Sequence, residues 1–171
     1  MANKYHTNYM PKKIITGGQT GVDRGALDAC LARAFSCGGW CPKGRLAEDG
    51  KIDNKYPLLE TPDSDYDTRT KYNVESSDGT LIISPGNLLG GTLLTRQIVT
   101  ELHKPVLMIS PELSAIKSFT IEILKWLVAN NIYILNVAGP RKSEWEPGYQ
   151  ISFQIINNLI GESEKLDLGL K

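Results

Sequence analysis

The sequence predicts a single α/β domain, a three-layer arrangement with a mostly parallel sheet between helices. Three observations predict it. Short apolar runs alternate with helix-like segments along the 171 residues, the pattern of parallel strands joined by helical crossovers. Two of those runs end in a glycine-rich turn that opens a helix. One is Ile14-Ile15-Thr16-Gly17-Gly18-Gln19-Thr20-Gly21; the other is Leu81-Ile82-Ile83-Ser84-Pro85-Gly86, continuing to Gly90-Gly91-Thr92. The composition is globular, 41% hydrophobic and 22% charged, and the length fits one domain with a sizeable core.

Residues 13–16 read as the first strand. A helix follows to about residue 35, capped by Thr20 or Asp23, with Leu27, Leu31, Ala34 and Phe35 at the spacing of a buried face. Residues 35–40 are a short second strand. Residues 41–61 lack periodicity and read as a long ordered loop, anchored by Trp40, Pro42, Tyr56 and Pro57; loops of that length are mostly functional or disordered. Residues 65–77 are a weakly amphipathic helix, and residues 80–83 a central strand. The next helix starts at Gly91 or Thr92, carries Leu94, Ile98 and Leu102 inward, and stops at Lys104-Pro105. Residues 106–109 form a strand. Residues 113–130 form the clearest helix, with Ile116, Phe119, Ile123 and Leu127 on one face. A strand over 132–137 and a helix over 149–160, with Ile151, Ile155 and Leu159 inward, complete the domain. Residues 1–12 and 162–171 are expected to be flexible tails.

Ligands of such sheets bind beyond the carboxyl ends of the strands. Both glycine turns fall on that edge, so they can meet at one site. Glycine leaves backbone amides bare, and a helix start adds unpaired N–H groups and the positive end of its dipole. Each turn is therefore a candidate phosphate cradle. The first contributes Gly17, Gly18, Gln19, Thr20 and Gly21. The second contributes Gly90, Gly91 and Thr92, with a plain helix cap as the simpler role for Thr92. Lys43 and Arg45 follow the second strand and would neutralise an anion. Arg69 and Asn73 stand four apart, on one helix face that lacks large apolar residues, and form a polar wall. Trp40 is placed to stack on a ring, whereas Tyr66, Trp126 and Trp145 read as packing. Asp23 either complements the helix dipole or meets the organic part of a ligand. Arg96 and Arg141 face ligand or solvent, and Asp28 serves structure.

Several classes are disfavoured. No Gly-Lys-Ser/Thr closes the first turn as in a Walker A loop. The dinucleotide fingerprint is missing too, and Lys43 and Arg45 occupy the region where its ribose-binding acid would lie. Nineteen basic residues balance nineteen acidic ones, so no overall positive field points to nucleic acid. No apolar run approaches the roughly 20 residues that span a bilayer. Residues 1–13 are polar, and Cys30, Cys37 and Cys41 are an odd set without a nearby histidine. These features predict a cytoplasmic protein with ordinary thiols and no metal site.

Longer blocks carry a resemblance. Gly17-Gly18-Gln19-Thr20-Gly21-Val22-Asp23-Arg24-Gly25-Ala26-Leu27-Asp28 is followed by Gly39-Trp40-Cys41-Pro42-Lys43-Gly44-Arg45 and Ala47-Glu48-Asp49-Gly50. Ser77-Asp78-Gly79-Thr80-Leu81, Gly90-Gly91-Thr92 and Asn136-Val137-Ala138-Gly139-Pro140-Arg141 come later. In this order, over residues 13–150, they resemble the molybdenum-cofactor carrier proteins. The resemblance implies a Rossmann-like fold and a phosphorylated pterin, the molybdenum cofactor, bound as cargo without turnover. The pterin's dithiolene would hold the metal, so no protein ligand is implied. A molybdoenzyme acceptor fits that role. A homo-oligomer, dimer or tetramer, is expected from the apolar helices and from related folds.

The fold group includes lysine-decarboxylase-like phosphoribohydrolases, which release a base from nucleotide monophosphates. Their P-G-G-x-G-T-x-x-E motif ends on the hydrolytic glutamate, and Thr95 stands at that position here. Threonine does not titrate near neutral pH, so no catalytic residue is assigned. Two alternatives stay open: an N-glycosidic hydrolase that uses Asp23, Glu48 or Asp49, and a sensor of a nucleotide-derived ligand acting through a partner.

Overall fold

A computed structural model describes residues 11–111 and 116–167. Among the described residues the central sheet has five strands, all parallel, ordered β2-β1-β9-β7-β8. These are β1 (Lys13–Ile15), β2 (Cys37–Gly38), β7 (Gly79–Ile83), β8 (Val106–Ile109) and β9 (Ile134–Ala138). Ile14 pairs with Cys37 on one side and Leu135 on the other, and Thr80 pairs with Val106 and Asn136. The helices are α1 (Val22–Ala32), α2 (Tyr66–Glu75), α3 (Gly90–Glu101), α4 (Ile116–Ala129) and α5 (Gly148–Asp167). The three-layer, Rossmann-like α/β expectation holds.

The apolar runs form the core because a strand buried on both faces must be apolar throughout. Ile14, Leu81, Ile83, Leu135 and Val137 are fully buried, against Val22, Ala26 and Cys30 of α1, Ile123 of α4 and Ile155 and Leu159 of α5. A second cluster of Leu27, Cys41, Ile52, Tyr56 and Leu58 lies under the segment after β2.

That segment is ordered, as expected, but by a different device. It holds β3 (Trp40–Cys41) paired in parallel with β6 (Leu59–Glu60), and an antiparallel pair, β4 (Leu46–Ala47) with β5 (Gly50–Lys51). Arg45 is buried at its centre. Its Nε donates to the Ile52 carbonyl at 3.1 Å, Nη1 to Leu58 at 3.1 Å, and Nη2 to Asp53 and Tyr56 at 2.9 Å each. The guanidinium thus replaces the water that four loop carbonyls would otherwise need.

Three further expectations are corrected. The strand expected over 35–40 divides at Gly39, and β3 leaves the central sheet to pair with β6. Helix α1 is entered through Gly21 at φ 77°, with no side-chain cap from Thr20 or Asp23. The buried face of α3 is Thr92, Thr95 and Val99, while Leu102 is exposed. Thr95 tolerates burial because its hydroxyl donates to the Gly91 carbonyl at 2.8 Å. At the ends of the described residues α5 continues to Asp167, and the Lys12 amide donates to the Tyr133 carbonyl at 2.7 Å. Residues 1–10 and 168–171 of the expected tails, and the expected helix start at Leu113, lie outside the described residues.

Candidate functional site

A cleft of about 170 Å³ opens beyond the carboxyl ends of β1, β7 and β9, the edge where parallel sheets place ligands. Gln19 and Asp23 come from the first glycine turn and the start of α1. Gly91, Thr92 and Thr95 come from the first turns of α3. Tyr66, Asp67, Arg69 and Thr70 form the α2 wall, and Gly139, Arg141 and Glu144 close the side after β9. The two glycine turns therefore do meet at one site.

They do not contribute alike. In the first turn the Gly18 amide donates to Thr16 Oγ1 at 3.1 Å and the Gln19 amide to Asp23 Oδ2 at 3.2 Å. The Thr20 amide donates to Gln19 Oε1 at 3.0 Å. These amides are spent on the turn itself, and the Asp23 carboxylate holds the place an anion would take. Gly17 lets Arg69 lie on its backbone; a Cβ there would stand 1.7 Å from Arg69 Nη1. Thr20 and Gly21 link the turn to the segment after β9. Thr20 Oγ1 accepts from the Lys142 amide at 3.1 Å, and a Cβ on Gly21 would meet the Pro140 carbonyl at 2.5 Å.

The second turn is open at Gly91, whereas beside Gly90 a Cβ would stand 3.3 Å from Glu144 Oε1. The first helical amides, Gly90 and Gly91, have no intrahelical acceptor, and the first amide to bond back is Thr92, to the Leu89 carbonyl at 3.1 Å. A Cβ on Gly91 would meet nothing. The α3 start therefore offers free donors and a positive dipole end to the cleft.

Arg69 and Asp23 form the floor, with Nη1 3.2 Å from Oδ2. Burial pushes the Asp23 carboxyl up from its ordinary range, against the opposing pull of Arg69 and of the Gln19 and Gly17 amides. Arg69 Nε is buried and has no acceptor among the described residues. An adjoining chamber of about 10 Å³ touches Asp23, Arg69, Asn73, Thr95 and Asn136.

A clasp spans the rim. The Glu48 carboxylate accepts from Thr20 Oγ1 and from the amide and hydroxyl of Ser143, and Arg141 Nε lies 3.7 Å away. Arg141 Nε also donates to Glu144 Oε1 at 3.1 Å. Burial pushes Glu48 up, but the Ser143 and Thr20 hydrogen bonds and the Arg141 charge outweigh it and hold the group below its ordinary range.

Of the expected site residues, Gln19, Arg69, Gly91 and Thr92 line the cleft, and Gly17 and Asn73 line the adjoining chamber. Asn73 is a strut: its side chain accepts from the Trp40 amide and donates to the Trp40 and Arg69 carbonyls. Lys43 and Arg45 do not line the cleft, the first because it is exposed on the far loop and the second because its charge is turned inward. Trp40 packs edge-on against Tyr72, with centroids 5.2 Å apart, and its Nε1 donates to Ser76 Oγ, so it does not reach the cleft. Asp28 is structural, accepting from the hydroxyls of Tyr56 and Tyr149. Tyr66, read from the sequence as packing, lines the cleft instead, as do Asp67 and Thr70, which sequence reasoning passed over. Their signal is the capping residue Asp65, whose side chain accepts from the Asp67 amide. It starts α2 so that 66, 69, 70 and 73 share one face.

The fold is that of a Rossmann-like α/β domain with a cleft at the carboxyl edge of its sheet. The sequence matches the family described as "Circularly permutated YpsA SLOG family" over residues 14–160, and the chain belongs to that family. It is also similar to a crystal structure named "Putative molybdenum carrier protein" from Syntrophus aciditrophicus SB. Identity is 44%, the match covers 88% of this chain and 95% of that one, and the TM-score is 0.84. No curated protein matches the sequence. Among the described residues no helix is long and apolar enough to cross a membrane, and no group of three or more His, Cys, Asp or Glu side chains could hold a metal ion.

Proposed function

We propose that this protein binds a phosphorylated pterin of the molybdenum-cofactor type and holds it without turnover. One observation carries the reading: Gly91, in the first turn of α3 with no intrahelical acceptor for its amide, lines the cleft that also holds Arg69 and Arg141. The phosphate sits at the α3 start, with Thr92 beside it and the orphaned Arg69 Nε as a further donor. Gln19 bounds the opposite side. Gly17, Gly18, Thr20 and Gly21 shape the floor, and Asn73 braces α2. Each charge-assisted bond to an anion contributes about 1.5–3 kcal/mol. The similar structure named "Putative molybdenum carrier protein" supports a molybdenum-related cargo, and the pterin is the form that the sequence resemblance implies. Leu93 and Leu102 on α3 and Met108 on the edge strand β8 stay exposed, which supports a second copy of the chain as partner.

The test is equilibrium binding of the isolated cofactor to the wild-type chain and to Gly91→Asp. The variant puts a carboxylate at the helix start without a steric conflict, and should abolish binding while leaving the fold intact.

A specific observation favours a second reading. Asp23 lies in the same cleft as Thr92 and Thr95, with its carboxyl pushed up by burial. A carboxylate there can serve N-glycosidic hydrolysis in place of the missing glutamate. Release of free base from nucleoside monophosphates, lost in Asp23→Asn, would establish this reading over the carrier.

A further inference from the structure

The cleft has two chemically different ends. The α3 start, Arg69 and Arg141 suit an anion. The outer part of the α2 wall does not. Tyr66 is 39% exposed there, with the Arg69 guanidinium 5.9 Å from its ring centroid. Asp67 follows it on the first turn of α2. Three carboxylates line the cleft. Asp23 is engaged by Arg69 and Glu144 by Arg141. The Asp67 carboxylate has no hydrogen-bond or ion-pair partner among the described residues. Asp67 complements the α2 dipole, and it repels an anion, so the part of a ligand that lies beside it is one that carries donors. An ionised carboxylate is acceptor-only and can take two parallel N–H groups. An exposed tyrosine beside it offers a flat apolar face.

We propose that Tyr66 and Asp67 select a ring with a 2-amino-4-oxopyrimidine edge, the edge that pterins and guanine share. Tyr66 stacks on the ring, and Asp67 accepts from the ring N–H and the amino group. Adenine presents an unprotonated ring nitrogen where the N–H would be, which leaves the carboxylate facing a lone pair. This inference rests on the proposed anion position at the α3 start.

The experiment is calorimetric titration of the full chain with GMP, IMP, AMP and 6-hydroxymethylpterin phosphate. All four carry one phosphate; IMP keeps the ring N–H but lacks the amino group. The expected order is GMP or the pterin first, then IMP, then AMP, with about 10–100-fold between the ends of the series. Asp67→Asn should remove most of that spread, because the amide presents one acceptor and one donor. Tyr66→Ala should weaken GMP and the pterin together. Tighter binding of the pterin than of GMP identifies the source of the ring. Equal affinity for GMP and AMP, unchanged in Asp67→Asn, would overturn the ring selection and leave the anion site standing. Failure of all four to bind would overturn both.

Discussion

Arg69 Nη1 reaches Asp23 Oδ2 at 3.2 Å, joining α2 to the start of α1 across 46 residues of sequence. Both side chains are largely buried, 13% and 6% exposed. The pair is the floor of the cleft, and it accounts for the engaged Gln19 amide of the first glycine turn, which donates to the carboxylate that the pair holds.

Breaking the pair from one side strands a buried charge. Arg69→Met should destabilise the fold by about 3–5 kcal/mol. Adding Asp23→Asn should recover part of that loss, since the two residues share one interaction. Urea unfolding of the two single variants and the double variant measures the coupling; strictly additive losses would contradict it.

The two glycine turns should respond oppositely to a methyl group. Gly21 sits at φ 77° against the Pro140 carbonyl, so Gly21→Ala should cost more than the roughly 1–2 kcal/mol of left-handed strain alone. Gly91 is helical with open space, so Gly91→Ala should stabilise by up to about 1 kcal/mol. Thermal unfolding distinguishes the signs.

Glu48 predicts a pH effect. Its carboxyl is held below the ordinary 4.5 in the folded protein. The unfolded chain therefore binds the proton more readily, and stability rises with pH across this window. The clasp contributes fully above about pH 4.5 and is lost as pH falls through the lower folded value. Glu48→Gln should flatten the acid limb of the melting-temperature profile and leave the neutral region parallel to wild type. An unchanged acid limb would rule out the clasp as the titrating feature.

Lys43 tests the limits of the site. It is exposed and does not line the cleft, and salt screens the interaction of exposed charges. Lys43→Ala should change ligand affinity by less than about threefold at physiological salt. A larger loss would return the loop to the binding surface.

The parallel sheet and both glycine turns were legible in the sequence because strands buried on two faces read as unbroken apolar runs. The partition of the site was not. Arg45 and Arg69 are both arginines in segments of weak periodicity, yet the first serves four backbone carbonyls and the second lines the cleft. Only long-range contacts separate those fates. The face of α3 was misread for a related reason: two of its three buried positions are threonines, and a threonine hydroxyl can bond within the helix, as Thr95 does, so an apolar count selects the wrong side. Gly39 breaks the second strand through a backbone conformation, φ 124°, that composition does not reveal. Tyr66 and Asp67 look like an ordinary helix start until the fold places α3 opposite them.

The central claim is that an anion-bearing pterin sits at the start of α3. Titration of the isolated molybdenum cofactor into wild type and Gly91→Asp tests it most directly, with free base assayed in parallel using nucleoside monophosphates. The account predicts saturable cofactor binding to wild type, its loss in Gly91→Asp with no fall in thermal stability, and no base release. Binding that survives in Gly91→Asp, or no binding to wild type at all, would contradict it.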